Sequence, residues 1–136
     1  MATLKLEIVT PEKVAYSADV DSVVLPAVEG EMGVLPMHIP LLTQIKPGEL
    51  VVSKGSAKSY LAVGEGFVSI DQTSVKVMTD MALDSEHIDE GAAEAAVQRA
   101  REAITNKDLG SEESAAVQAA LAKSLAQLHV KRRRRS

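Results

Sequence analysis

Residues 30–48 read Gly30-Glu31-Met32-Gly33-Val34-Leu35-Pro36-Met37-His38-Ile39-Pro40-Leu41-Leu42-Thr43-Gln44-Ile45-Lys46-Pro47-Gly48. They hold three of the chain's five prolines and three of its eight glycines. Proline lacks the N–H that a ladder needs, and glycine supplies backbone angles that other residues resist, so this density predicts a loop. The segment is nonetheless apolar almost throughout. An apolar, proline-stiffened loop carrying one acid, Glu31, and one histidine, His38, needs a surface to press against, in its own domain or on a partner.

On either side of this stretch the chain divides by composition near residue 84. Up to Asp84 there are 13 valines, every proline, six glycines and no arginine. Beyond it there are 12 alanines, three valines, no proline and every arginine. β-branched residues with turn formers favour strands; alanine with long charged side chains favours helix. The expected architecture is α+β: an antiparallel β-sandwich or flattened barrel over residues 1–84, then an α-helical hairpin with a basic tail over residues 85–136.

In the first part, Leu4, Leu6 and Ile8 alternate with Lys5, Glu7 and Val9, predicting a strand with one buried face. A patchy strand region runs from Val14 to Pro26. Glu49–Ser53 and Ser59–Val63 are expected to pair through a turn at Lys54-Gly55-Ser56-Ala57. Gly64-Glu65-Gly66 reverses the chain, Phe67–Ile70 continues it, and Val75–Met78 closes the set.

In the second part, Asp84 or Ser85 is the expected cap of the first helix. Ile88, Ala92, Ala96, Ala100 and Ile104 would form its apolar ridge, with Val97 beside it. Gly110 suits the turn and Ser111 the second cap, after which Val117, Leu121, Leu125 and Leu128 make a stripe. Alanine lets helices approach closely but buries little area. Each large side chain contributes about 1.5–3 kcal/mol when fully buried, before entropy is subtracted. Much of that holds one helix to the other, so the hairpin is expected to be weakly docked and able to refold against another partner.

Composition excludes several functions. The hydrophobic share of 46% and charged share of 25% are those of an ordinary globular protein. No apolar run reaches membrane-spanning length, Met1–Leu6 is not a signal peptide, and a soluble protein, monomeric when isolated, is expected. Without cysteine, thiolate chemistry is absent. No nucleophile elbow, dinucleotide loop or phosphate-cradling motif occurs, and no catalytic residue is expected. Asp80, Asp84, Glu86, His87 and Asp89 cluster but match no metal loop; helix-start acids account for most of them, and no metal or cofactor is expected. The chain has a net charge of −4, yet Lys131 to Arg135 are five successive cations. Such a tail is a solvated end or a tip that seeks an acidic protein surface. Nucleic acid is the weaker third reading, because one Phe, two Tyr and no Trp leave nothing for bases to stack on.

From residues alone this is an interaction protein. The pattern Gly30-Glu31-Met32-Gly33-Val34-Leu35-Pro36-x-His38-x-Pro40-Leu41-Leu42-Thr43-x-Ile45-Lys46-Pro47-Gly48 further resembles the signature of the epsilon subunit of F-type ATP synthases, whose mitochondrial counterpart is called delta. The likeness extends over the whole chain, from Gly64-Glu65-Gly66-Phe67 to Leu125-Ala126-Gln127-Leu128.

The resemblance implies a non-catalytic rotor subunit that binds the gamma shaft and the c-ring and couples proton-driven rotation to ATP synthesis. It implies rotor contacts at Glu31, Met32, Val34, Met37, His38, Leu41 and Leu42. It also implies a mobile hairpin, carrying Ile88, Val117, Leu121, Lys123, Leu125, Leu128, Arg132 and Arg133, that extends toward the alpha and beta subunits and opposes ATP hydrolysis. The expected place is the cytoplasmic side of an energy-transducing membrane. Many bacterial members bind ATP through Ile/Leu-Asp-x-x-Arg-Ala. Here the match is Ile88-Asp89-Glu90-Gly91-Ala92-Ala93, with Ala92 in the arginine's place. A lost guanidinium removes paired phosphate donors, so ATP binding is expected to be weak or absent. That loss makes the chain look closer to photosynthetic members and their thylakoid membrane. A free-standing regulatory binding module is the alternative.

Overall fold

The computed structural model describes residues 3–105 and 110–133. Ten strands come first: β1 (Leu4–Val9), β2 (Val14–Val20), β3 (Ser22–Ala27), β4 (Gly30–Val34), β5 (Leu41–Ile45), β6 (Gly48–Lys54), β7 (Ala57–Val63), β8 (Gly66–Ile70), β9 (Ser74–Thr79) and β10 (Ala82–Asp84). A 3-10 turn at Ser85–His87 leads to helices α1 (Glu90–Ile104) and α2 (Ser111–Arg133). The strands follow one another in the order β10-β7-β6-β3-β5-β8-β9-β1-β2, with β4 attached to β3, and curl into a nearly closed sandwich.

Alternation decides which side chains fill it. Leu4, Leu6, Ile8, Val20, Val23, Leu25, Val34, Leu50 and Val68 are wholly inaccessible and belong to one cluster of sixteen buried residues. Strand β3 joins the layers. Its start pairs with β6 through Ser22–Val24, whereas Ala27 at its end pairs with Ile45 of β5. Pro26 has no N–H to offer, but its carbonyl accepts from Lys46 N–H at 2.8 Å.

The structure corrects several expectations. The 30–48 segment is not a loop throughout. β4 and β5 occupy its two ends, and only residues 35–40 connect them, because Pro36 and Pro40 fall in that connection and Pro47 between β5 and β6. Gly30, at φ +130°, opens β4, whose only pairing is to β3. The sandwich is not purely antiparallel, since β1 runs parallel to β9. The Val14–Pro26 region is cut at Asp21, whose carboxylate accepts from Gly55 N–H at 2.6 Å. The segment around residues 81–84, expected as a plain junction, contains the short strand β10 on β7.

In the helical part, Asp84 caps the 3-10 turn and Asp89 caps α1, accepting from Ala92 N–H at 3.0 Å. Ile88 is extended rather than helical, so it does not set the phase of α1. The buried face is Ala93, Val97 and Ala100, while Ala92 and Ile104 are exposed. Ser111 is the first helical residue, and the Gly110 carbonyl accepts from Ser114 N–H.

Candidate docking surfaces

Two surfaces carry chemistry. The first is the connection between β4 and β5 with the outer face beside it. Leu35, Met37, Ile39 and Leu42 are each 65–79% exposed, and Leu41 is 42% exposed. Met37 has φ +69°, a strained value for a side-chain-bearing residue, and its N–H donates to Gln72 O at 2.8 Å. His38 is half-buried, and its Nδ1 lies 2.6 Å from the Ile39 carbonyl. A carbonyl only accepts, so Nδ1 carries the proton.

The exposed strip continues across the sheet. Leu42 is opposite Ser69, and Phe67 is opposite Met78, with Val28 nearby at the end of β3. Phe67, Met78 and Val28 are exposed. Sequence reasoning did not single these three out. The signal was present in β8, where buried Val68 and Ile70 alternate with outward Phe67 and Ser69.

Not every expected contact residue lies on this surface. Val34 is fully buried in the core and Met32 packs against that core, so both support the loop from beneath. Glu31 and His38 are not brought together. Glu31 is near the start of β4 and His38 lies beyond its end.

The second surface is the bed on which α2 rests, along β6 and β7. α2 has two buried faces. Leu128, with half-buried Leu121, meets Ala93 and Val97 of α1. Ala126 and Val130 meet Ala62 and Met81 of the sandwich and Ile88 just before α1, with Tyr60 and Leu83 at the margin. The expected stripe captured the first face. It missed Val130 and treated Ala126 as filler, although their i, i+4 spacing was readable. Val117 is half-buried and Leu125 exposed.

The cations of α2 are paired. Lys123 Nζ lies 3.0 Å from Asp80 Oδ2, and Lys131 Nζ donates to Ser85 O at 2.9 Å. Arg132 reaches Glu90 at 3.1 Å and Glu94 at 2.7 Å. Arg133 Nε is 2.7 Å from Glu49 Oε2, and its guanidinium lies 4.8 Å from the centre of the Tyr60 ring. The hydrogen bond to Glu49 raises the Arg133 pKa, and the Glu31 charge adds to it.

The tail was expected to be either a solvated end or a tip that seeks an acidic protein surface. Its first three residues are helical and engaged, because α2 continues to Arg133; Arg134 and Arg135 lie outside the described residues. The second helix thus does carry arginines, but Arg132 spans two carboxylates beside the start of α1. Three of the acids clustered at residues 80–89 are similarly occupied, Asp80 by Lys123, Asp84 by His87 and Asp89 by the Ala92 N–H. Asp84 Oδ1 is 2.6 Å from His87 Nδ1. Partial burial pushes the Asp84 carboxyl up, but donation from the His87 ring and N–H outweighs it and holds the carboxyl below its usual range.

A sandwich with an exposed apolar connection and a hairpin lying on its flank presents surfaces for docking. The comparisons agree. Residues 3–85 match the family model described as "ATP synthase, Delta/Epsilon chain, beta-sandwich domain", and residues 86–132 match "ATP synthase, Delta/Epsilon chain, long alpha-helix domain". The chain belongs to this ATP synthase delta/epsilon family and is a non-catalytic subunit of F-type ATP synthase. It is 38% identical over 136 residues to the ATP synthase epsilon chain of Alkalilimnicola ehrlichii, covering 99% of this chain and 96% of that one. It is 42% identical over 105 residues to the epsilon chain of Desulforamulus reducens, covering 77% and 80%. Among solved structures, a chain of the Euglena gracilis mitochondrial ATP synthase, in a complex titled OSCP/F1/c-ring, superposes with a TM-score of 0.80 at 26% identity. That match covers 95% of this chain and 81% of the other. Among the described residues, no helix is long and apolar enough to cross a membrane.

Proposed function

We propose that this chain is the central-stalk subunit that fastens the gamma shaft to the c-ring, and that its helical hairpin restrains ATP hydrolysis. The observation that carries the first half is the exposed strip of Leu35, Met37, Ile39, Leu42, Phe67 and Met78. So many exposed large apolar side chains on one connection and the sheet face beside it mark a contact surface. Its rotor contacts are therefore Met37, His38, Leu41 and Leu42 at the connection, with Glu31 at the other end of β4 and Met32 and Val34 setting the loop's height. Binding of a Leu42→Asp variant to shaft and ring tests this.

The second half rests on the bed of α2. Two of its five buried residues are alanines, the others are Met81, Ile88 and Val130, and ion pairs supply the polar part of the contact. A hairpin so fastened is suited to leave the sandwich and meet the alpha and beta subunits with Lys123, Arg132 and Arg133, its helices still joined through Leu121, Leu128 and Val97. Sandwich (residues 1–84) and hairpin (residues 85–136) are then the anchoring and regulatory units.

Membrane association is peripheral and runs through the complex, on the cytoplasmic side of an energy-transducing membrane. A thylakoid membrane is supported by Ala92 in the first-helix motif together with the Thr79-Asp80-x-Ala82 junction. Nucleotide is not part of the reading. Ala92 offers a methyl group where phosphate recognition needs a guanidinium, and Arg132 is already held by Glu90 and Glu94. Isothermal titration of the chain with ATP is expected to give no saturable heat at micromolar concentrations; a micromolar isotherm would contradict it.

A further inference from the structure

We propose that a charge clasp centred on Glu49 holds the hairpin on the sandwich, so that salt loosens the docking. The inference deepens the regulatory reading above by naming what fastens the hairpin.

The apolar part of the contact is thin. Ala62 and Ala126 present single methyl groups; Met81, Ile88 and Val130 contribute longer side chains, with Tyr60 and Leu83 partly buried beside them. The polar part is extensive, but its members are unequal. Lys123 and Asp80 have side chains 35% and 50% exposed, so water screens the pair and it is worth little. Arg132 binds Glu90 and Glu94, both on α1, and so stays inside the hairpin. Lys131 meets a neutral carbonyl.

Glu49 differs from all of these. Its side chain is only 11% exposed, and Arg133 approaches it at 2.7 Å. His129 Nε2 stands 3.7 Å from its other oxygen and 3.2 Å from Arg133 Nη2. Tyr60 carries the guanidinium on its ring face. Arg133 is itself 42% exposed, but removing it leaves a largely shielded carboxylate without its partner, which costs more than breaking a pair exposed on both sides.

The carboxylate is also fixed in place. Gly48 precedes it, and a Cβ there would come within 2.9 Å of the Pro26 side chain. The backbone that delivers Glu49 therefore packs directly on β3. Glu49 follows the last residue of the 30–48 segment, and Glu31 within that segment also acts on Arg133.

Apolar packing and ion pairing respond to salt in opposite directions. Amide hydrogen exchange of the full isolated chain at about 0.01 M and about 1 M sodium chloride, where the screening length falls from about 30 Å to about 3 Å, separates them. Residues 126–133 of α2 are expected to exchange faster at high salt, and the Met81 methyl NMR signal to shift with them. Glu49→Gln is expected to speed that exchange at least about tenfold at low salt and to remove most of the salt response, whereas Asp80→Asn changes it less than about threefold. Exchange in β8 monitors the sandwich. Should Glu49→Gln disturb β8 as well, Arg133→Ala gives the same test from the other side. Exchange that slows with salt, or that neither variant alters, overturns the clasp. Because only the isolated chain is used, that failure leaves the rotor-binding reading untouched.

Discussion

Replacing Leu42 with aspartate is expected to weaken binding of this chain to the assembled shaft and ring at least about a hundredfold, with no change in its own melting temperature. Leu42 projects from the outer face of β5 and is 67% exposed, so the free chain has little packing there to lose. In a desolvated contact the same position would bury a carboxylate without a partner. Such a charge costs about 3–5 kcal/mol, and each 1.4 kcal/mol is about tenfold in affinity. Equilibrium binding to a gamma-containing catalytic head and to the isolated c-ring, with calorimetry of the free variant, checks both halves. Unchanged affinity for both partners would show that this strip is not the rotor interface.

Gly66→Ala is expected to destabilise the sandwich by about 3 kcal/mol or more and to lower its melting temperature by roughly 10–15 °C. The reason is contact with backbone, not backbone angle. A Cβ on Gly66 would lie 1.9 Å from the Met78 carbonyl oxygen and 2.8 Å from Thr79 Cα. Neither atom belongs to a flexible side chain, so β8 and β9 would have to part where Gly66 pairs with Thr79. The same shift would pull on the bonds from Thr79 Oγ1 and Asp80 N–H to the Glu65 carbonyl. Gly33→Ala is the control, because nothing lies within 4 Å of its added methyl. A Gly66→Ala melting temperature within about 2 °C of the parent would refute this account of the reversal.

The contrast between these glycines shows what the sequence can and cannot disclose. Gly64-Glu65-Gly66 was readable as a reversal because glycine clusters mark turns. That Gly66 is required by the β9 backbone was not readable, since the close approach comes from strand pairing across the sheet. The strand-then-helix plan was legible from valine, proline and alanine alone, and β1 from its alternation. The strands β4 and β5 were hidden because three prolines and three glycines crowd the segment, yet the prolines fall between strands and the glycines sit within β4 and at the start of β6. β10 was hidden because three residues cannot display a period.

The helices failed in an instructive way. Ile88 was counted into a ridge that begins only after Asp89; Ala92 and Ile104 proved exposed and Ala93 buried, whereas Val97 and Ala100 are buried as expected. A single apolar stripe was sought on α2, but that helix has two partners, and small Ala126 with Val130 serves the second. The exposed connection at Leu35–Leu42 was legible as a contact surface because its apolar residues cannot all turn inward around two prolines. The pairing of Arg133 with Glu49 was not, since 84 positions separate them in the chain.

The measurement that tests the central claim most directly is ATP hydrolysis by a reconstituted alpha–beta–gamma head, with the whole chain added and then the chain ended after Asp84. The account predicts that the whole chain binds and slows hydrolysis, and that the shortened chain binds equally well but slows it little. Equal inhibition by both would show that the sandwich, not the hairpin, impedes the shaft; failure of both to bind would contradict the rotor reading itself.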